Sequence, residues 1–433
     1  MSSFVLRRAM STIKMPSLDF KPLVYQGPTY EDVLNVRKRN LTPSLVTFYK
    51  QPVLIHQGYM QWLFDQNNKR YLDLFGGIVT VSVGHCHPGS EANDLAMLMA
   101  RLYTGANDII SLRNAYHGMS PWTMQLTAHS TWKYNVATGG VHQAKNPDPY
   151  RGEWGGKRCR DSPVQTTRSC ECAEGQCLAS EKYVEELEEV LRYSVPKGKV
   201  AGFFAESIQG VGGTVQFPKG YLKKAFELIR NYGGICISDE VQTGFGRTGE
   251  HYWGFQMHGV TPDIVTMAKG IGNGYPMAAV ITTPKIAAVL SQAIHFNTFG
   301  GNPVASAIGS AVLDAIDEDN CQANSHNVGT YFLKKLEGLR NEFPNLIGDV
   351  RGKGLMIGME LVSDRNSRTP LGAQEFVNIW ETCKDMGVLL GKGGFFGNVF
   401  RIKPPMCITK EDVDFATDVI RTAIKQNKDR NTP

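Results

Sequence analysis

No apolar run in the 433 residues approaches the ~18 needed to cross a bilayer as a helix. No dense basic run is present either, and a formal net charge of +5 is small for this length. Neither a membrane nor a nucleic acid is therefore expected as a partner. No internal repeat is visible. Acidic residues are missing from the first eighteen positions, "MSSFVLRRAMSTIKMPSL", which carry Arg7, Arg8 and Lys14 and are rich in Ser and Thr. The arginine pair breaks the apolar core that a secretory signal needs, so residues 1–20 read as a mitochondrial targeting segment, and the matrix as the destination. The plainer alternative is a disordered terminus. The remaining composition, 42% apolar and 20% charged, is that of a soluble globular protein long enough to bury a sizeable core.

Paired C-x-x-C spacing is also lacking. The nine cysteines are an odd number, and most should be reduced thiols. Four of them, Cys159, Cys170, Cys172 and Cys177, crowd into "CRDSPVQTTRSCECAEGQC". Without the spacing of known zinc sites, a loop of structural thiols and no metal is expected there.

The organisation that is present is α/β. "QWLFDQNNKRYLDLFGG" reads as a hairpin turning at Asp65 to Lys69. From about 105 to 300, short apolar runs ("NDIISL", "VAGFFAES", "GGICISDEV", "PDIVTMAKG", "MAAVITT") alternate with amphipathic helices such as "PKGYLKKAFELIRNYG". That is the signature of a mostly parallel sheet with helices on its faces. Residues 130–180 break the rhythm and read as one long loop. After 303 come a long helix, a strand pair in "GDVRGKGLMIGMEL", and a terminal amphipathic helix capped by Thr409 with Asp412 three residues on. The expected division is 21–75, an N-terminal segment packing with the small domain, 76–302, the large domain, and 303–433, a smaller α+β domain.

Polar residues stand where such a sheet makes its site. Glu206 ends "AGFFAE", Asp239 and Glu240 end "GGICISDE", and Lys269 ends "PDIVTMAK". Ligands bind beyond the carboxyl ends of parallel strands, and charges closing buried runs need partners. One such residue would read as a structural ion pair. Three, each followed by a glycine loop ("QGVGG", "QTGFGRTG", "GIGNG"), point to a site. A desolvated lysine suits Schiff-base chemistry with a carbonyl, and an acid beside it suits a pyridinium nitrogen. Gly89 and Ser90, opening "SEANDLAMLMARLY", suit a phosphate at a helix start. Aldehyde, pyridine and phosphate together are pyridoxal 5'-phosphate.

"SDEVQTGFGRTG", then "AKGIGNGYPMAAV", then "HFNTFGGNPVA" resemble the class III (ornithine- and GABA-transaminase-like) aminotransferases, from about residue 40 to the C-terminus. "LFGGIVTVSVGHCHP", "GGKRCRDSPVQTTRSC", "VRGKGLMIGMEL" and "FRIKPPMCITKEDVDFA" are similar to its mitochondrial alanine–glyoxylate branch. The resemblance implies a fold-type I pyridoxal-phosphate transferase that moves an amino group from L-alanine to glyoxylate. It also implies roles. Lys269 would carry the cofactor and shuttle the Cα proton, Asp239 pair with the ring nitrogen, and Gln242 bond the ring hydroxyl. Tyr116 would lie on the ring face with His117 beside it, and Gly89 and Ser90 would hold the phosphate. Thr298 would reach the phosphate of a neighbouring subunit, in a homodimer or homotetramer. Arg401 would clamp a substrate carboxylate, with Glu206 near it adjusting which donors fit. Outside the resemblance, Tyr116 has a plain reading as core packing, His117 as a loop histidine and Arg401 as a surface ion pair.

One departure stands out. The resemblance implies a long segment between "GHCHP" and "GSEAN", with two helices and the strand feeding the phosphate loop. Here Pro88 abuts Gly89, and a strand–turn–helix unit with its crossover takes roughly 30 residues. The expected consequences are an uncovered sheet edge and a shortened cofactor wall, with "IVTVSV" (Ile78 to Val83) as a substitute strand. Three alternatives stay open: an ω- or β-amino-acid–pyruvate transaminase, an amino-alcohol-phosphate phospholyase, and an inactive shortened form. A phospholyase calls for extra cations at the substrate end, and no added cluster is visible in the sequence.

Overall fold

In the computed structural model, residues 13–40, 47–79, 90–136, 139–170, 172–173 and 175–431 are described. After helix α1 (Tyr30–Asn40), strands β1 (Ile55–Tyr59), β2 (Trp62–Asp65) and β3 (Arg70–Asp73) form an antiparallel meander. The β2–β3 hairpin turns where the sequence places it. Asp65 Oδ1 accepts from the N–H groups of Asn67 and Lys69, each at 2.9 Å, and Asn68 takes the left-handed conformation, φ 60°, that Asn tolerates in turns.

The large sheet contains β4 (Asp108–Leu112), β5 (Val141–Ala144), β6 (Val200–Glu206), β7 (Ile235–Asp239), β8 (Ile264–Met267) and β9 (Ala279–Thr282). Its order is β5-β4-β6-β7-β8-β9, parallel except for β9. Side chains alternate across it, as strand geometry requires. Ile109, Phe204 and Ile237 face one side, against Ala96, Met97 and Ala100 of helix α2 (Ser90–Thr104). Ile110, Phe203 and Cys236 face the other, against helices α3 (Leu178–Tyr193) and α4 (Tyr221–Asn231). Helix α4 forms because Tyr221, Leu222, Ala225, Phe226 and Ile229 share one stripe.

Two expectations need correction. Residues 130–180 are not loop throughout: β5 pairs with β4 at the sheet edge, and α3 begins at Leu178. The sequence "VHQA" lacks an apolar pattern because three of its four side chains are only half-buried; backbone pairing holds it. The long helix after 303 is two, α5 (Pro303–Glu318) and α6 (Cys321–Glu342), broken where Asn320 turns left-handed, φ 50°.

Beyond α6, strands β10 (Ile347–Lys353) and β11 (Met356–Asp364) form the expected pair, and β12 (Thr369–Pro370) adds to β11. Helix α7 (Ala373–Asp385), β13 (Val388–Leu389), β14 (Gly391–Gly393), β15 (Val399–Ile402) and helix α8 (Lys410–Asn431) complete the chain. Thr409 caps α8 reciprocally: its N–H donates to Asp412 at 2.9 Å, and its hydroxyl accepts from the Asp412 N–H at 3.2 Å. The N-terminal meander joins this region through parallel pairing of β3 with β13 and a shared apolar core. Ile13, Met15, Leu18 and Phe20 pack against that core, and Phe20 stacks on Tyr59 at 4.2 Å. Residues 13–20, inside the expected targeting segment, are therefore part of the folded body.

A buried charge network ties the strands beyond α6 to the loops of the large sheet. Asp349 accepts from Arg160 Nη1 at 2.6 Å and from Arg351 Nη1 at 3.0 Å. Arg351 also pairs with Glu360 and donates to the Gly213 carbonyl, in the glycine loop after Glu206.

Candidate active site

Glu206 and Asp239 are Cα partners at the ends of adjacent parallel strands. Lys269 stands two residues past β8, in a left-handed conformation, φ 51°. A non-glycine residue there stores strain, which a fold tolerates where function demands it. These three side chains and Ser90, Tyr116, His117 and Gln242 line one small cavity. The structure thus gathers residues that lie between positions 90 and 269.

Asp239 is fixed from three sides. Oδ2 accepts from Asn93 Nδ2 and from His117 Nδ1, both at 2.8 Å, and Oδ1 accepts from the Val241 N–H at 3.1 Å. Asn93 also donates to the His117 carbonyl at 2.8 Å. His117 therefore braces the acid, and its buried Nε2 has no partner among the described residues. Glu206 accepts from the Tyr116 N–H at 3.1 Å and the Gly210 N–H at 2.7 Å. Burial pushes its pKa up, the Asp239 charge adds to this, and His117 opposes it. Burial lowers the Lys269 pKa from 10.5 to about 8; Arg401 contributes in the same direction, while Asp239 and Glu206 oppose. An amine so placed has a substantial neutral fraction near neutrality, as a nucleophile or base requires.

Glu240 proves structural. It accepts from the hydroxyls of Ser207, Ser238 and Thr243 and from the N–H groups of Gly254 and Phe255, at 2.6 to 3.1 Å. Those donors saturate a buried carboxylate and leave it no free face for a ligand.

Beside the cavity, Arg401 and Lys403 are buried at the end of β15 with no carboxylate partner among the described residues. Gln242 Oε1 accepts from Lys403 Nζ at 3.0 Å and from Arg401 Nη2 at 3.5 Å, and Arg401 Nε has no partner among the described residues. Desolvation lowers the Arg401 pKa to about 10, and pushes Lys403 well below its usual value with help from the Arg401 charge. Arg401 lies 5.5 Å from the Phe75 ring, and a Cβ at Gly393 would come within 2.3 Å of its Cδ. The glycine is what admits the guanidinium. Buried cations without an anion are costly, so this corner suits an anionic ligand.

Ser90 is the first residue of α2, facing the cavity. Gly89, the Pro88–Gly89 junction and most of the expected substitute strand lie outside the described residues; Gly76–Val79 form one helical turn. Thr298 is apart from the cavity, exposed on a segment that also presents Ile294 (97% exposed), Phe296 (80%) and Phe299 (79%). Sequence reasoning missed Asn93 and Lys403. Both carried a signal: Asn93 is three residues past Ser90 on one helix face, and Lys403 two past Arg401 on an extended segment.

The donors fit pyridoxal 5'-phosphate: a braced acid for a ring nitrogen, a low-pKa amine for an aldehyde, and a helix start for a phosphate. Residues 89–424 match the family described as aminotransferase class III. The chain belongs to the class III aminotransferases. These enzymes are pyridoxal-phosphate-dependent, and the chain is an aminotransferase of that family. It is 52% identical over 467 aligned residues to alanine–glyoxylate aminotransferase 2, mitochondrial, of Homo sapiens, covering 96% of this chain and 90% of that one. The alignment is longer than the 433-residue chain, so that relative carries residues with no counterpart here. Among solved structures, a Bacillus anthracis aminotransferase superposes with a TM-score of 0.81 at 26% identity, over 92% of this chain and 98% of that one. A phospholyase from Arthrobacter in complex with phosphoethanolamine gives 0.78 at 28%, over 91% and 99%.

Proposed function

We propose that this aminotransferase moves the amino group of L-alanine to glyoxylate, giving pyruvate and glycine, in mitochondria. The observation that carries the reading is the buried Arg401 guanidinium, without a carboxylate partner among the described residues, beside the cavity that holds Lys269 and Asp239. Both substrates present one carboxylate, and a planar fork matches it. The name of the human relative supports the same pair.

Bound pyridoxal phosphate would supply the electron sink that acidifies the substrate Cα proton. The chain supplies the rest. Asp239, braced by Asn93 and His117, would hold the proton on the ring nitrogen, and Gln242 would bond the ring hydroxyl. Tyr116 would cover the ring face, and Gly89 and Ser90 would hold the phosphate. Lys269 Nζ would hold and move the substrate Cα proton. Arg401 orients the carboxylate, and Glu206 tunes it by charge. The exposed segment with Ile294, Phe296 and Phe299 supports a dimer in which Thr298 serves the neighbouring site. Because residues 13–20 are packed, the targeting segment ends upstream of Ile13.

Lys403 favours a second reading. It adds a cation beside Arg401 that the sequence did not show as clustered, and two cations suit a phosphorylated amino alcohol, the ligand class named for the Arthrobacter neighbour. Purified chain with added cofactor separates the readings. Alanine and glyoxylate should yield pyruvate in a coupled assay, and borohydride should fix the cofactor on Lys269. Phosphate release from phosphoethanolamine without pyruvate formation would establish the second reading. Failure to develop a visible cofactor band would establish the inactive form.

A further inference from the structure

Outside the active site, the cysteine-rich loop folds into a cluster. The sulfur atoms of Cys159, Cys170 and Cys172 all lie within 4.8 Å of one another. Cys177, at the N-cap of α3, approaches the Cys159 thiol and lines the same cavity. None of the four is in a disulfide. The spacing that argues against a metal in the sequence is overridden by the chain path: residues 160–169 loop out to the Arg160–Asp349 contact and bring Cys170 back beside Cys159.

We propose that Cys159, Cys170, Cys172 and Cys177 form a structural zinc(II) site. Four thiolates at about 2.3 Å from a central ion stand roughly 3.8 Å apart; Cys159, Cys170 and Cys172, within 4.8 Å of one another, need only a small closing movement, and Cys177 completes the set from its place beside Cys159. Soft sulfur donors in a set of four select zinc or iron–sulfur chemistry, and sulfurs this close leave room for a single ion. Binding releases the four thiol protons to solvent and leaves a centre of charge −2. The surroundings suit that charge: Lys157, Lys219 and Lys224 line the cavity against Glu181 among the described residues, and the start of α3 adds its dipole. The site closes the loop that carries Arg160 onto Asp349, so its role is to staple the loop to α3.

The test uses the full holoenzyme, expressed without an affinity tag in zinc-supplemented medium and freed of loose metal by gel filtration. Elemental analysis should find one zinc ion per chain. The paired substitution Cys170→Ser and Cys172→Ser should reduce this at least tenfold, while Cys407→Ser, outside the cluster, should leave it unchanged. If the paired variant does not fold, cobalt exchanged into the unmodified protein decides: tetrahedral tetrathiolate bands at the red end of the visible spectrum support the site. Zinc-supplemented protein without stoichiometric zinc, iron in its place, octahedral cobalt bands, or a disulfide among the four thiols would overturn it. None of these outcomes depends on the substrate of the aminotransferase.

Discussion

The Lys269 amine makes the reading quantitative through the rate at which cofactor-free protein takes up pyridoxal phosphate. Only the neutral amine attacks an aldehyde. With a pKa of about 8, roughly 9% of the amine is neutral at pH 7; at the usual 10.5 the neutral fraction would be roughly 0.03%, about 300-fold less. Stopped-flow mixing with cofactor, following the visible band, should therefore give a rate that climbs with pH and levels off above about 8. The neighbours give signed shifts. Asp239 and Glu206 hold the proton on, so Asp239→Asn and Glu206→Gln should lower the midpoint. Arg401 drives it off, so Arg401→Met should raise it. A rate that keeps rising tenfold per pH unit past pH 9.5 would show that the amine is not desolvated, and the account of Lys269 would fail.

The same pKa carries a stability consequence. Between about pH 8 and 10.5 the unfolded chain holds a Lys269 proton that the folded chain has lost, so cofactor-free protein should gain stability with rising pH across that window. Urea midpoints measure it, and Lys269→Met should remove that rise. Arg401→Met should cut kcat/KM for alanine and glyoxylate by about 100-fold, since charge-assisted hydrogen bonds of ~1.5–3 kcal/mol are lost. Asn93→Ala and His117→Phe each remove one donor at 2.8 Å from Asp239 Oδ2. Each should weaken cofactor binding by about 10- to 100-fold in an absorbance titration. Asp349→Leu removes the carboxylate partner of the buried Arg160 and leaves Arg351 with Glu360 alone, and should destabilise the chain by about 3–5 kcal/mol in denaturation.

The strand-end chemistry was legible because strands buried on both faces are continuous apolar runs, and the polar residue that interrupts each run marks the ligand edge. Glu206, Asp239 and Lys269 were all readable in this way. The division of labour between Asp239 and Glu240 was not. Adjacent residues leave a strand on opposite sides, so one must face the cavity and the other the Ser207, Thr243 and Gly254 donors, and only the packing says which. Strand β5 stayed hidden because an edge strand needs little apolar surface. Asn93 read as an ordinary helix residue until the docking of α2 aimed it at Asp239. The four cysteines stood out in the sequence, but their closure did not, because it comes from tertiary folding of the loop and not from sequence spacing.

The junction at Pro88 and Gly89 bears on part of this machinery only. Among the described residues the sheet ends at β9, an antiparallel edge strand with Ile281 55% exposed. Asp239 and Glu206 sit inward of that edge, on β7 and β6, and Lys269 follows β8; Glu240 anchors the same end of the sheet with five donors. Local opening at an edge costs far less free energy than opening a core strand, so fraying at β9 need not disturb these residues. The phosphate end is closer to the junction, because α2 begins at Ser90. Yet α2 is held from beyond its first turn: Ala96, Met97 and Ala100 are fully buried against the sheet, and Asn93 ties the helix to Asp239 and the His117 carbonyl. A helix start located by its own buried face and by the acid it serves does not need the preceding chain to aim its N–H groups. A shortened wall would therefore weaken enclosure of the cofactor before it weakened the placement of the proton-handling residues.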